Sequence, residues 1–122
     1  IELMIHKAVF AAHGASYVAG WWHDPDTGEV MDQPYNVPVK MALIHSEVSE
    51  ALEGDRKHVM DDKLPHRPMI EVELADAAIR LFDLAGALGL DLGGAFVEKM
   101  QYNARRADHR IETRRSAGGK GY

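Results

Sequence analysis

The segment from Val72 to Leu88 constrains this chain more than any other. Almost every position in it is apolar except Glu73, Asp76, Arg80 and Asp83. Those four stand at i, i+3, i+7 and i+10, which is one stripe along an α-helix. A helix so apolar on its other sides is buried on most of them. The stripe is then either the narrow wet face of a core helix or a set of charges kept inside for a purpose. A preceding segment repeats the spacing, with Glu47 and Glu50 at i and i+3 and Glu53 a turn later.

Two carboxylates a turn apart repel by a few tenths of a kcal/mol, about 0.2–0.5, on an exposed helix. Facing a second pair across a bundle, they repel strongly unless a cation lies between them. Oxygen donors from two antiparallel helices suit hard Mg2+, completed by water and substrate phosphates. The chain reads E-x-x-E, a gap of 22 residues, then E-x-x-D. Di-iron bundles also carry internal carboxylates, but they need Glu-x-x-His pairs. Neither Glu47 nor Glu73 has a His three residues on, and His45 points elsewhere on its helix.

The stretch Leu43-Ile44-His45-Ser46-Glu47-Val48-Ser49-Glu50-Ala51-Leu52-Glu53, followed by Val72-Glu73-Leu74-Ala75-Asp76 and on to Gly86, resembles the MazG-like group of all-α nucleoside triphosphate pyrophosphohydrolases. The resemblance covers about residues 38 to 108, and both halves of the ExxE and ExxD signature are present. It implies Mg2+-dependent cleavage between the α- and β-phosphates of a nucleoside triphosphate, with Mn2+ as a substitute metal. By position it makes Glu47, Glu50, Glu73 and Asp76 the metal ligands. Glu50 and Glu47 are then the candidate catalytic carboxylates, Glu50 taking the proton of the attacking water. Many members begin the first motif with two adjacent Glu, and this chain has Ser46 where the first would stand. Asp83 occupies a position where the family often has Asn, and is a candidate contact to ribose or base.

Lys99, Asn103 and Arg106 fall at i, i+4 and i+7 near the end of the chain. They resemble the family's K-M-x-x-N-x-R segment, which lies against the substrate. Cations answer a triphosphate, and an amide suits a sugar or base edge. The bland alternative is a solvated basic patch with Arg105, Arg110, Arg114 and Arg115. Lys40, seven residues before Glu47, is a further phosphate candidate. Trp21 and Trp22 stand in the loop before the second helix, where an indole either stacks on a nucleobase or anchors a core. Trp22 is carried as the substrate candidate.

Four helices are expected: about Glu2 to Ala19, ending at Gly20; Pro38 to His58; Met69 to Leu88; and Leu92 to His109. Pro38 suits a first helical position, and residues 21 to 38 read as a long loop. The expected architecture is an all-α four-helix bundle of the all-α NTP pyrophosphatase type. It comprises one domain over residues 1–112, with a flexible tail over 113–122. The apolar flanks of the third helix exceed what four such helices cover, so a homodimer or homotetramer is expected.

The chain has 122 residues and a net charge of −5, and no cysteine. The acidic balance argues against binding a nucleic-acid polymer, which needs Lys and Arg to displace counterions. Without cysteine, disulfides, thiolate zinc sites and Cys nucleophiles are excluded. No run of about 18 apolar residues provides a membrane span. The stretch from Ala8 to Trp22 makes a poor signal peptide, so a cytoplasmic location is expected. Two rivals remain: a non-enzymatic nucleotide-sensing or interaction module, and a relative preferring dUTP or dCTP.

Overall fold

A computed structural model describes residues 1–122 apart from Asp32 and the side chains of residues 33–36. Among the described residues the chain is all-helical. Its elements are α1 (Glu2–Val18), α2 (Gln33–Lys57), α3 (Met69–Ala87), α4 (Leu92–Arg105), a 3₁₀ turn (Ala107–His109) and α5 (Ile111–Arg115). The only extended pairings there are two isolated bridges, His23 with Val30 and Met60 with Pro68. None of these helices is long and apolar enough to cross a membrane. The chain forms two compact units, residues 7–90 and residues 1–6 with 91–122.

In the first unit, α2 and α3 pair antiparallel. Glu47 reaches Arg80, while Gly54, a little under two turns later on α2, meets Met69 at the start of α3. The connection is a built turn. The buried Asp61 carboxylate accepts from the backbone N–H of Lys63 at 2.9 Å and Leu64 at 2.7 Å. Its own N–H donates to the Arg67 carbonyl. These bonds satisfy loop groups that would otherwise be orphaned beside the helix ends. Among the described residues the buried hydrophobic core is Trp22, Ala51, Ala77, Leu84 and Ala85. Helix α1 closes on α3 at Gly86, where a Cβ would stand 2.6 Å from the His13 Cβ. Only glycine permits that approach.

In the second unit, Asp91 caps α4 by accepting from the Gly94 N–H at 2.9 Å. The same carboxylate bonds the His6 ring at 2.9 Å.

Three boundaries differ from expectation. Helix α2 begins at Gln33, upstream of Pro38, which lies inside it and forgoes one ladder hydrogen bond. Proline's suitability for a first turn misled the sequence reading. Helix α4 stops at Arg105, and Arg106 is extended, with φ −69° and ψ 130°. The expected division between residues 112 and 113 falls inside α5. Beyond it the chain folds back, with Arg114 donating to the carbonyls of Lys120 and Gly121.

Candidate metal centre and cavity

Of the polar stripe of α3, Glu73 and Asp83 are buried and Asp76 and Arg80 are partly open on the cavity, whereas Leu74 and Ile79 on the apolar flanks are 51% and 52% exposed. The reading of the stripe as a wet face is therefore incorrect. On α2, Glu47 is buried and Glu50 is exposed. Carboxylate oxygens of Glu47, Glu73 and Asp76 lie within 4.8 Å of one another. Glu50 stands near enough to Glu73 for its charge to act on that carboxyl. Three of the four expected ligands, Glu47, Glu73 and Asp76, thus converge where α2 meets α3, and Glu50, the fourth, is outside that group.

The electrostatics bear the strain of that gathering. Burial, then the charge of Glu50 and that of Glu47, push the Glu73 carboxyl up to about 7. Asp76 is raised chiefly by burial, then by the charge of Glu47, with Arg80 acting in the opposite sense. Like charges this close favour protonation of one member unless a cation arrives. Mg2+–oxygen bonds of about 2.1 Å in an octahedron put neighbouring ligand oxygens about 3.0 Å apart, so the carboxylates would draw together around an ion. The donors are all oxygen, which is the set a hard divalent cation takes. The residues fit such an ion.

One cation is already there. Arg80 Nε donates to Glu47 Oε1 over 2.6 Å. The sequence placed Arg80 on the stripe without a role. The signal that would have found it is its spacing, one turn beyond Asp76 and so level with a carboxylate on the facing helix. Ser46 is turned away from the carboxylates' chemistry, its Oγ donating to the Leu43 carbonyl at 2.7 Å.

A cavity of about 980 Å³ opens beside the carboxylates, between an alanine-rich face of α1 and the α2–α3 pair. Glu47, Asp76, Arg80, Lys40 and Trp21 contribute to its wall. Its size is that of a small-molecule site. Lys40 is held at its rim, Nζ lying 4.3 Å from the centre of the Trp22 ring and donating to the Trp21 carbonyl at 3.3 Å.

Trp22 itself is 1% exposed, so no ring face is open for a nucleobase. Its Nε1 donates to Asp83 Oδ1 at 2.8 Å. Asp83 also receives His13 Nδ1 at 2.8 Å and Ser16 Oγ at 2.7 Å. Three of the roughly four acceptor positions of this carboxylate are thereby taken. Asp83 and Trp22 work as a clasp between α1, its following loop and α3, and the exposed indole on the cavity is Trp21. His13 and Ser16, which complete the clasp, carried no signal in the sequence.

Lys99, Asn103 and Arg106 belong to the other unit. Lys99 lies over the Tyr102 ring at 4.8 Å. The Asn103 Oδ1 is buried without a hydrogen-bond partner among the described residues. Arg106 sits past the end of α4 and not on its face, and forks onto Asp108 with bonds of 2.9 and 2.6 Å. Lys120 adds a third bond to Asp108 at 2.9 Å, and together these cations hold that carboxyl well below its usual range.

Against known protein families, curated proteins and solved structures, the chain finds no match.

Proposed function

We propose that this chain is an Mg2+-dependent nucleoside triphosphate pyrophosphohydrolase, converting a nucleoside or deoxynucleoside triphosphate and water to the monophosphate and pyrophosphate. The observation that carries the reading is the convergence of Glu47, Glu73 and Asp76, with Glu50 against Glu73, beside a cavity of nucleotide size. Burying Glu47 and Glu73 side by side is costly without a counter-charge, so a purely structural role is a poor account of them. Mg2+ when bound would neutralise phosphate charge and acidify a water molecule. Glu47, Glu73 and Asp76 would hold it. Glu50, exposed at the edge of the cluster, would take the proton of the attacking water. Lys40 at the cavity rim would meet phosphate.

The fold on this reading is a four-helix bundle of the all-α pyrophosphatase type. A second or further copy would cover the apolar residues left exposed on α2 and α3. The substrate is a free nucleotide and not a nucleic-acid polymer, in keeping with the net charge of −5, and the reaction belongs in the cytoplasm.

The test is a product assay with Mg2+ and each canonical nucleotide, including dUTP and dCTP, resolved by anion exchange. Monophosphate with pyrophosphate, abolished by EDTA and by Glu50→Gln, is the expected result. Diphosphate with phosphate would mean a different hydrolase. Binding of nucleotide without any product would make the chain a sensing module.

A further inference from the structure

Two cations reach the cavity wall, and they are held differently. Lys40 is occupied by the Trp21 carbonyl and the Trp22 ring. Arg80 is held by Glu47, one of the three carboxylates that converge. Glu47 is buried, while the Arg80 side chain is 40% exposed on the cavity side. A short charge-assisted bond of this kind compensates a buried carboxylate in a chain without metal. It also puts a guanidinium where a divalent cation would have its own claim on the same carboxylate. The two cations repel, and the buried Glu47 cannot move as freely as the partly exposed arginine.

We propose that Arg80 exchanges partners: it pairs with Glu47 until a divalent cation displaces it into the cavity, where it grips the anionic group of the ligand. The proposal rests on the reading of Glu47, Glu73 and Asp76 as metal ligands. Arg80 and Glu47 both line the cavity and the arginine side chain is partly exposed there, so the guanidinium has open space beside the carboxylate to turn into. Its planar fork matches a phosphate edge, which a lysine would meet only as a point charge. The exchange couples the two binding events. Metal frees the arginine for the anion, and by reciprocity an anion that captures the arginine clears Glu47 for metal.

The test uses the full chain with Mn2+ alone, followed by titration of pyrophosphate at saturating Mn2+, for wild type, Arg80→Gln and Arg80→Lys. Removing the competitor should tighten Mn2+ binding in Arg80→Gln by about tenfold, the worth of one charged hydrogen bond. The same variant should bind pyrophosphate at least about tenfold more weakly, for the same reason. Arg80→Lys should fall between wild type and Arg80→Gln on both measurements, and decides the matter if Arg80→Gln loses its helical circular dichroism. Unchanged or weaker Mn2+ binding in the variants would overturn the exchange, as would undiminished pyrophosphate binding. A wild type that binds no Mn2+ would overturn both this inference and the metal site. Mn2+ binding without nucleotide cleavage, with the Arg80 differences intact, would remove the hydrolase reading and leave the exchange standing.

Discussion

Trp22 Nε1 and Asp83 Oδ1 meet at 2.8 Å across 61 residues of sequence, both side chains buried. With His13 and Ser16 on the same carboxylate, the clasp attaches the first helix and its loop to α3, and so forms one wall of the cavity. Asp83→Ala leaves the three donors without their acceptor. An orphaned buried donor costs about 1–3 kcal/mol, which applies in full to Trp22 Nε1 and less to the part-buried His13 and Ser16, and the loss should be read as a lower urea midpoint. Asp83→Asn keeps an acceptor oxygen and should cost less, about 1–2 kcal/mol. Unchanged stability with lost nucleotide binding would instead make Asp83 a ligand contact.

Glu73 sets a pH dependence whose sign is fixed by its environment. In the folded chain its proton is retained up to about 7, whereas the unfolded chain releases it near 4.5. Between those values the folded state binds more protons, so stability falls as pH rises. In EDTA, the urea midpoint of wild type should drop from pH 5 to pH 8. Glu73→Gln should flatten that drop. Mg2+ at pH 8 should restore stability to wild type only, by about 2.7 kcal/mol at one hundred times its dissociation constant. A wild type that gains nothing from Mg2+ would count against the metal centre.

The carboxylate pairs were legible because their meaning lies in helical spacing, which the sequence carries directly. Glu47, Glu73 and Asp76 needed only two helices in antiparallel register to come together. What escaped depends on long-range geometry. The roles of Arg80, His13 and Ser16 exist only once α2 and α1 are packed on α3. Trp22 looked like a stacking platform because an indole in a polar loop carries no mark of its burial. Arg106 was assigned to a helical face by counting, yet the helix ends before it and its guanidinium forks onto Asp108 two residues on. Pro38 was read by its preference for a first turn, and the helix accommodates it further in.

Gly86 and Gly14 give opposite expectations for one substitution. Both lie inside helices, where Gly→Ala ordinarily stabilises by about 0.5–1 kcal/mol. At Gly14 nothing lies within 4 Å of an added Cβ, so Gly14→Ala should raise the melting temperature. At Gly86 the Cβ meets His13 Cβ at 2.6 Å and Val9 at 3.3 Å. Overpacking there should cost about 1–3 kcal/mol and lower the melting temperature. A rise at both positions would mean that α1 is not packed on α3 as described.

The inverted polarity of α3 makes a prediction about assembly. Leu74 and Leu81, two turns apart on one face, are 51% and 41% exposed while the carboxylates are inside. On α2, Val48 and Leu52 are 50% and 60% exposed. Apolar surface left in water costs about 25 cal/mol per Å², and a contiguous patch of such residues marks an interface. If a second copy covers it, the native chain should run as a dimer or tetramer in light scattering. Leu74→Lys with Leu81→Lys should then shift it to a monomer. Because neither leucine belongs to the carboxylate cluster or the cavity wall, the variant should still bind Mn2+ at its intact α2–α3 crossing. A native monomer would refute the interface. A monomeric variant that has lost Mn2+ as well would mean that assembly holds α2 and α3 in the register their carboxylates require.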